Sequence, residues 1–303
     1  MEQRKIKVVI VRPMAAVGIS ISKCSIEKYI ELSNTCKYNC GCYQTFIGGQ
    51  VNFKLIPFSD STKKKICDWC ALQNKRLIVH CPLHLNLAKS DTDNLTHITN
   101  SKDCLKSHLL ALQDIPSRMV LHPGKHLELS KSEGITNIST HLNELYSSLD
   151  SNLKPILREN LCLENAAGQG TELGVGEEEM RKIIEQLDFT TGICLDTQHS
   201  YASGWCSFEN ENCVDKWLCG NGESLELEKF VKVIHLNDSS KTFGSRVDRH
   251  SSFKEGLIWN SRESRKSLRY LLEECEIRNI DVVLETKNQH EDLEIIHNLE
   301  RKN

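Results

Sequence analysis

The sequence lacks any apolar run that approaches the roughly 18 residues of a membrane span. The apolar residues near the amino terminus are interrupted by Arg12-Pro13, which argues against a signal peptide. The chain also has no excess of one charge, since 38 Lys and Arg stand against 41 Asp and Glu, for a formal net charge of -3. The net charge of the chain therefore gives no indication of a polyanionic partner. We expect a soluble, intracellular protein without a membrane contact, in which any contact with nucleic acid is local or made through bound metal ions.

Two familiar binding motifs are missing as well. Cys67 and Cys70 form a CxxC with three more cysteines between residues 36 and 42, but no second CxxC completes the usual zinc-binding pair. Most of the 14 cysteines are therefore expected to be buried thiols, and the sequence leaves disulfide pairing open. The glycines of residues 166–176 do not fit GxGxxG, which favours a loop that approaches a site over a dinucleotide-binding turn.

Short β-prone runs, separated by segments of helical periodicity, make up most of the chain. The predicted strands are residues 6–11, 42–47, 76–80, 118–122, 161–164, 192–196, 231–236 and 281–285. The predicted helices are residues 24–35, 61–74, 95–114, 134–149, 176–187, 223–230 and 264–277. This alternation predicts a (β/α)₈ TIM barrel in a single domain over residues 1–303, with a doubly wound open sheet as the alternative. The polar segment at residues 207–224 is interpreted as a long loop after the sixth strand.

The last six predicted strands all end in residue types that bind metals. These residues are His80, His122, Glu164, Asp196, His235 and Glu285. In a barrel of parallel strands, such ends meet at the one face where active sites are built. Buried carboxylates are very costly unless cations balance them, so a metal site at this face is the physical explanation.

Three further candidates follow two of these strand ends. His199 lies three residues beyond Asp196, while Asp248 and His250 are two residues apart, so that in an extended segment their side chains point the same way. Histidines with carboxylates and no thiolate suit zinc or manganese in hydrolytic chemistry. Nine ligands suit three ions that share a bridging carboxylate. Four carboxylates with three divalent ions leave a pocket charge of about +2, which would attract a phosphate.

Several longer motifs resemble the endonuclease IV family of apurinic/apyrimidinic endonucleases, and together they extend over most of the chain. They are LHPG (121–124), LENAAGQGTELG (163–174), GICLDTQHSYASGW (192–205), HLNDSSKTFGSRVDRH (235–250), KEGLI (254–258), VVLET (282–286) and, more loosely, HCPLHLNLA (80–88).

The resemblance implies a TIM barrel with three Zn²⁺ ions per chain and its active site at the carboxyl-terminal ends of the strands. It implies hydrolysis of double-stranded DNA on the 5′ side of an abasic site, giving a 3′-hydroxyl and a 5′-deoxyribose phosphate, and possible removal of 3′-blocking groups. The implied ligands are His80, His122 and Glu164 for the first ion, Glu164, Asp196, His235 and Glu285 for the second, and His199, Asp248 and His250 for the third. Glu164, which bridges two ions, and Glu285, which accepts a proton during attack of water on phosphorus, are the implied catalytic residues.

The sequence departs from the family's pattern in the segments expected to grip DNA. Val51 and Leu83 stand where the family has an arginine and a tyrosine, and Arg12 lies near the position of a usual histidine. Lys241, Arg246 and Arg249 lie beside candidate ligands and are predicted to contact DNA phosphates, although either arginine could instead bind a carboxylate of the loop. Asp238 is interpreted as a residue that shapes this loop rather than as a ligand.

Two other functions remain open from the sequence. A metal-dependent sugar isomerase or epimerase shares the barrel, but it has no need of the trio His199, Asp248 and His250. A non-catalytic metalloprotein would keep its function after the substitution Glu285→Gln. We expect a monomeric zinc-dependent endonuclease of base excision repair.

Overall fold

The structure, a computed structural model, describes residues 14–33, 41–220 and 226–300. Eight strands form a closed barrel: β1 (Val17–Ser20), β2 (Tyr43–Thr45), β3 (Leu77–His80), β4 (Ser117–Leu121), β5 (Leu161–Glu164), β6 (Gly192–Asp196), β7 (Val231–His235) and β10 (Asp281–Leu284). Their order around the barrel is β1-β10-β7-β6-β5-β4-β3-β2, and every neighbouring pair is parallel. The predicted (β/α)₈ barrel is confirmed.

Ten α-helices are described around or above the barrel. They are α1 (Ile26–Ser33), α2 (Asp60–Gln73), α3 (Asp91–Ala111), α4 (Lys131–Ser148), α5 (Leu153–Asn160), α6 (Gly176–Ile184), α7 (Thr197–Ser203), α8 (Glu211–Cys219), α9 (Arg262–Arg278) and α10 (Gln289–Glu300). A two-stranded antiparallel sheet, β8 (Asp238–Ser239) with β9 (His250–Ser251), follows β7. Within the described ranges, no helix is both long and apolar enough to cross a membrane.

Three sequence predictions differ from this architecture. The first barrel strand is Val17–Ser20, and the predicted strand at residues 6–11 lies outside the described residues. The loop predicted at residues 207–224 was wrong, because α8 lies inside it. Its first turn is capped by the Asn210 side chain, and it buries Val214, Trp217 and Leu218. In place of the helix predicted at residues 223–230, the described part holds a 3₁₀ turn at Leu227–Lys229.

The core has two layers that leave the ends of the barrel available for charged groups. Inside the barrel, a small cluster of buried apolar side chains consists of Cys42, Ile78, Val120, Cys162, Cys194, Val233 and Val283. A larger cluster fills the space between the barrel and the helices. Side chains along a strand alternate in direction, so the residues two positions before and two positions after the inner cluster also point into the barrel. They lie at its two opposite ends.

Most of the cysteines that the structure describes are buried, as expected. Burial raises the pKa of Cys70 to about 12, and its Sγ contacts the backbone oxygen of Pro116. Cys67 Sγ instead contacts the backbone oxygen of Asp114. Among the described residues, no group of candidate metal ligands includes a cysteine, so the CxxC behaves as part of the helix surface and core.

Candidate metal centre

Glu164, at the end of β5, is the hub of the candidate site. Its Oε2 lies 3.2 Å from His80 Nε2 and 3.3 Å from His122 Nε2. Its Oε1 lies 2.9 Å from His235 Nδ1. The strands β3, β4 and β7 carry these three histidines at or just after their last residues, so the barrel brings them together from distant parts of the sequence. A single buried carboxylate therefore faces three imidazoles.

A second group shares His235 Nδ1 with the first. This nitrogen is 3.2 Å from Glu285 Oε2 and 3.9 Å from Asp196 Oδ2. One ligand atom from each of Glu164, Asp196, His235 and Glu285 lies within 4.8 Å of the others, which is close enough for a shared cation. This group has the composition that the family resemblance implies for the second ion.

A third group lies where α7 meets the β8–β9 sheet. Asp248 Oδ1 is 3.4 Å from His250 Nε2 and 3.7 Å from His199 Nε2. Asp196, His199 and His250 also place one ligand atom each within 4.8 Å of one another. Asp248 and His250 therefore face the same way, as their spacing predicts, and Asp196 connects this group to the second one.

Local structure fixes Asp196 and His199 relative to each other. Asp196 is the N-cap of α7, and its Oδ1 accepts a hydrogen bond from the backbone N–H of His199 at 2.8 Å. This bond satisfies one of the unpaired amides of the helix start. It leaves Oδ2 directed at the second group. The turn that leaves β6 is thus a helix start, and it aims both side chains into the barrel mouth.

Hydrogen bonds on the far side of each ring select which histidine nitrogen faces the centre. Nδ1 of His80 donates to the backbone oxygen of Cys81 at 2.7 Å, and Nδ1 of His199 donates to that of Asn165 at 2.8 Å. His235 is turned the other way, because its Nε2 donates to Gln44 Oε1 at 2.8 Å. Each ring thus presents its other nitrogen, an acceptor when the ring is neutral, to the carboxylates.

The donor set fits bound cations. A neutral imidazole nitrogen and a carboxylate oxygen about 3 Å apart are two acceptors that repel unless a proton or a metal ion lies between them. Burial raises the pKa of Glu164, yet the nearby His122 and His235 outweigh burial and hold this pKa well below its usual range. Burial lowers the pKa of His235, but the surrounding acidic groups raise it well above its usual value. The whole cluster is thus arranged to hold positive charge.

Side-chain amides, which the sequence analysis missed, support the candidate ligands. Asn237 Nδ2 donates to Asp196 Oδ2 at 2.6 Å and to Glu285 Oε2 at 3.2 Å. Asn165 Oδ1 accepts the backbone N–H of Asp196 at 2.7 Å, and Gln44 Nε2 donates to Glu285 Oε1 at 2.6 Å. Asn165 directly follows Glu164, and Asn237 lies two residues after His235. That adjacency was the available signal in the sequence.

Asp238 differs from the nine candidate ligands in its partners. Its carboxylate accepts backbone N–H groups from Ser239 at 2.7 Å, Ile258 at 2.7 Å and Trp259 at 3.1 Å. These bonds hold residues 256–259 against β8, and Gly256 makes room, since a Cβ there would lie 2.0 Å from Asp238 Cγ. The prediction that Asp238 shapes the loop is confirmed.

The residues predicted to contact DNA lie on the same loop and face solvent. Lys241, Arg246 and Arg249 are exposed, and none of them forms an ion pair within the described part of the chain. Arg249 Nη1 donates to the backbone oxygen of Asp248 at 2.7 Å, so it braces the loop through the main chain. Neither arginine binds a described carboxylate, which leaves all three positive charges at the rim.

The two atypical apolar positions are also exposed at the rim. Val51 is 74% exposed and Leu83 is 48% exposed. The loops that carry them are joined by a hydrogen bond of 2.8 Å from Leu83 N–H to Gln50 O. Arg12, the third departure from the family's pattern, lies outside the described residues.

A cavity of about 440 Å³ opens beside the centre and includes His122 and Asp248 in its wall. Lys89 and Lys125 also line it, and Lys125 Nζ is 3.3 Å from Glu172 Oε1. The candidate metal centre is therefore reached from a cleft with cationic side chains.

Comparison with known proteins agrees with this geometry. Residues 37–301 match the family model of the xylose isomerase-like TIM barrel. Probable endonuclease 4 of Mycoplasmopsis synoviae (strain 53) is 30% identical over 250 residues, which cover 80% of this chain and 80% of that protein. Endonuclease IV from Thermus thermophilus has the same fold, with a TM-score of 0.72, 20% identity, and coverage of 96% of this chain and 100% of that one. A D-tagatose 3-epimerase-like protein shares the barrel at a TM-score of 0.62 and 18% identity, with coverage of 93% and 97%. Since the family model spans most of the chain and a relative at 30% identity aligns over most of its own length, this chain belongs to the endonuclease IV family of xylose isomerase-like TIM barrels.

Proposed function

We propose that this protein is a zinc-dependent endonuclease that hydrolyses double-stranded DNA on the 5′ side of abasic sites. The products are a 3′-hydroxyl and a 5′-deoxyribose phosphate. The observation that carries the proposal is the convergence of five histidines and four carboxylates at one end of the barrel, in three connected groups. Membership in the endonuclease IV family supports the same activity.

The nine residues divide among three Zn²⁺ ions. His80, His122 and Glu164 would hold the first, and Glu164 would also contribute to a second with Asp196, His235 and Glu285. His199, Asp248 and His250 hold the third. When bound, the ions supply the positive charge that activates water and stabilises the leaving oxygen of a phosphodiester.

We propose that Glu285 accepts a proton from the attacking water. Its side chain is 18% exposed, whereas that of Glu164 is 1% exposed, so Glu285 is the carboxylate of the central pair that solvent reaches. Gln44 and Asn237 each donate to one of its two oxygens, which fixes the plane of the carboxylate. Glu164 is held by histidines on both oxygens and serves as the bridging ligand.

The rim supplies the contacts for a DNA strand. Lys241, Arg246 and Arg249 stand on the loop that carries Asp248 and His250, and Lys89 and Lys125 line the adjoining cleft. Cations at such positions neutralise backbone phosphates without reading the base sequence. We propose that Val51 and Leu83 contact the lesion by apolar packing, in place of a charged or hydroxyl-bearing side chain. The protein acts as a monomer.

The test is a nicking assay with purified, zinc-loaded protein. A 5′-labelled duplex that carries one tetrahydrofuran abasic analogue should be cut once, on the 5′ side of the analogue, and a polymerase should extend the product from its 3′-hydroxyl. The same duplex without the lesion is the control and should stay intact. A folded, zinc-loaded protein that leaves the lesion duplex intact would refute the proposal.

A sugar isomerase or epimerase is the second candidate, because the D-tagatose 3-epimerase-like protein shares the barrel. One or two metal ions suffice for such chemistry. A third group of candidate ligands therefore disfavours this function, and it consists of Asp196, His199 and His250 with Asp248 beside them. Epimerase activity on ketohexoses, together with at most two metal ions per chain, would favour this alternative.

A further inference from the structure

A second cavity, of about 630 Å³, opens at the amino-terminal end of the barrel. Arg76, Arg118 and Lys232 line it, at the starts of β3, β4 and β7, together with Asn160 and Gly192 at the starts of β5 and β6. Because all barrel strands are parallel, this cavity lies at the end of the barrel opposite the candidate metal centre. This cavity is separate from the site of the proposed nuclease function.

Positive charge dominates this end of the barrel. Three cationic side chains, Arg76, Arg118 and Lys232, line the cavity, and Arg76 Nη1 lies 3.6 Å from Oδ2 of Asp281, at the start of β10. Burial lowers the pKa of Lys232, and the like charges of Arg118 and Arg76 lower it further. The wall also contains Glu159, so these three cations outnumber the two nearby carboxylates, those of Glu159 and Asp281.

Hydrogen bonds to backbone oxygens fix two of these cations in place. Arg118 Nη1 donates to the backbone oxygen of Glu159 at 2.5 Å, while its Nε is buried and has no hydrogen-bond partner among the described residues. Lys232 Nζ donates to the backbone oxygen of Lys229 at 2.9 Å. Gly192 makes room for the Lys232 side chain, since a Cβ there would lie 2.9 Å from Lys232 Cγ.

The chemistry of these donors fits a phosphate group. Guanidinium forks and an ammonium bind the oxygens of a doubly charged phosphate through short, charge-assisted hydrogen bonds. Thr191 and Ser117 add hydroxyl groups to the wall. The cations converge on a concave cavity and do not form a surface stripe, which favours a small molecule over a nucleic-acid backbone. The volume also exceeds that of a single phosphate ion, so a phosphorylated small molecule fits.

We propose that the amino-terminal end of the barrel is a binding site for a small phosphate-bearing anion, held by Arg76, Arg118 and Lys232. Inorganic phosphate and a phosphomonoester present the same charged group. Either one would balance the excess positive charge of these three side chains.

Isothermal titration of the zinc-loaded protein with inorganic phosphate tests the proposal. The metal centre also binds phosphate, so the variants Arg118→Gln and Lys232→Gln separate the two sites. Loss of one charged hydrogen-bond donor should weaken the amino-terminal site by about tenfold or more. Binding at the metal centre and DNA nicking should not change. Lys64→Gln, which removes an exposed lysine of α2, is the matched control and should bind phosphate as the wild type does.

Amide hydrogen exchange provides a readout that does not depend on the variants. Phosphate should slow exchange in residues 117–118 and 190–192 of the wild-type protein. A repeat with a deoxynucleoside 5′-monophosphate distinguishes the sources, because tighter binding than that of phosphate indicates a phosphomonoester and equal binding indicates the free ion. Phosphate affinity that both variants leave unchanged, or phosphate protection confined to the carboxyl-terminal face, would overturn the proposal.

Discussion

The two ends of this barrel carry opposite charge and hold it in different ways. At the carboxyl-terminal end, the buried Glu164 and Asp196 and the partly exposed Glu285 lie among histidines whose outer nitrogens are fixed by backbone and amide oxygens. At the amino-terminal end, Arg76, Arg118 and Lys232 line a cavity whose wall also includes Glu159. Neither arrangement is balanced by the protein alone, because buried charge is costly without a partner. The apolar cluster inside the barrel separates the proposed cation-binding end from the proposed anion-binding end.

The connections at the two ends explain why the chemistry belongs to the carboxyl-terminal one. The loops that follow β6 and β7 carry α7, α8 and the β8–β9 sheet, and they bring His199, Asp248 and His250 over the barrel mouth. The connections into the strand starts are short, as between α5 and β5, which adjoin at residues 160 and 161. The strands themselves therefore position the groups at the amino-terminal end. Such rigid positions suit a small binding site better than a reaction on a DNA strand, which needs loops that can adapt to it.

The largest expected effect comes from the carboxylate proposed to accept a proton. Glu285→Gln keeps the shape of the side chain but removes its charge, and it should lower the nicking rate by about 10²- to 10⁴-fold. Single-turnover nicking of the tetrahydrofuran duplex measures this rate. The control is Glu263→Gln, an exposed glutamate at the start of α9, which should nick at the wild-type rate. Equal rates for the wild type and Glu285→Gln would remove Glu285 from the mechanism.

A smaller effect is expected from the amide that positions two candidate ligands. Asn237→Ala removes the donor to Asp196 and Glu285 without removing a ligand, and it should weaken zinc binding by about 10- to 100-fold. Competition with a fluorescent chelator measures the affinity. Excess zinc should restore part of the nicking activity, which it would not do if Asn237 only supported the fold. Unchanged zinc affinity would contradict the positioning role.

The pH dependence of stability should distinguish Asp238 from the candidate ligands. Burial raises the pKa of Asp238 from 3.8 to about 6, although three backbone N–H groups oppose this rise. The folded protein then binds a proton that the unfolded chain has lost, so the free energy of unfolding falls as the pH rises from about 4 to 6. The contribution of this group is at most about 1.4 kcal/mol per pH unit.

Urea unfolding of zinc-loaded wild type and Asp238→Asn at several pH values between 4.5 and 7.5 measures this slope. The difference between the two free energies should shift in favour of the variant as the pH rises through this range, because the variant cannot ionise. Asp103→Asn, at an exposed position of α3, should run parallel to the wild type. A constant difference between wild type and Asp238→Asn would show that this carboxylate does not titrate as proposed.

The smallest expected effect lies at the other end of the barrel. Lys232→Gln should change the nicking rate by less than about twofold, because the side chain lies on the far side of the apolar cluster from the metal centre. Its unfolding temperature should become less sensitive to added phosphate than that of the wild type. A large loss of nicking in this variant would mean that the two ends of the barrel are coupled.

Much of this architecture can be predicted because ligand residue types recur at strand ends. His80, Glu164, Asp196 and His235 are the last residues of four strands, and parallel pairing alone then brings them to one face. The first strand could not be recognised in the same way, because Val17–Ser20 is short, whereas residues 6–11 form the stronger apolar run. The helix α8 was missed because it lies inside the polar segment at residues 207–224. Its three buried residues form an apolar face only once the helix packs.

Supporting groups were harder to predict than ligands. Gln44 reaches Glu285 and His235 across 241 and 191 residues of sequence, and its position in a short strand carries no separate signal. Each cation of the amino-terminal cavity lies at the start of a different strand. In the sequence, an isolated Arg or Lys at such a position is interpreted as an exposed residue. Only closure of the barrel brings Arg76, Arg118 and Lys232 together at one cavity.

The most direct measurement of the central claim is the zinc content of the purified protein, determined by elemental analysis after dialysis against a weak chelator. Three groups of ligands that share Glu164 and Asp196 should retain about three zinc ions per chain, and the same sample should nick the tetrahydrofuran duplex. The double variant His199→Ala with His250→Ala should retain about two. One zinc ion or fewer per chain in a folded, nicking-competent wild-type sample would contradict the three-ion centre.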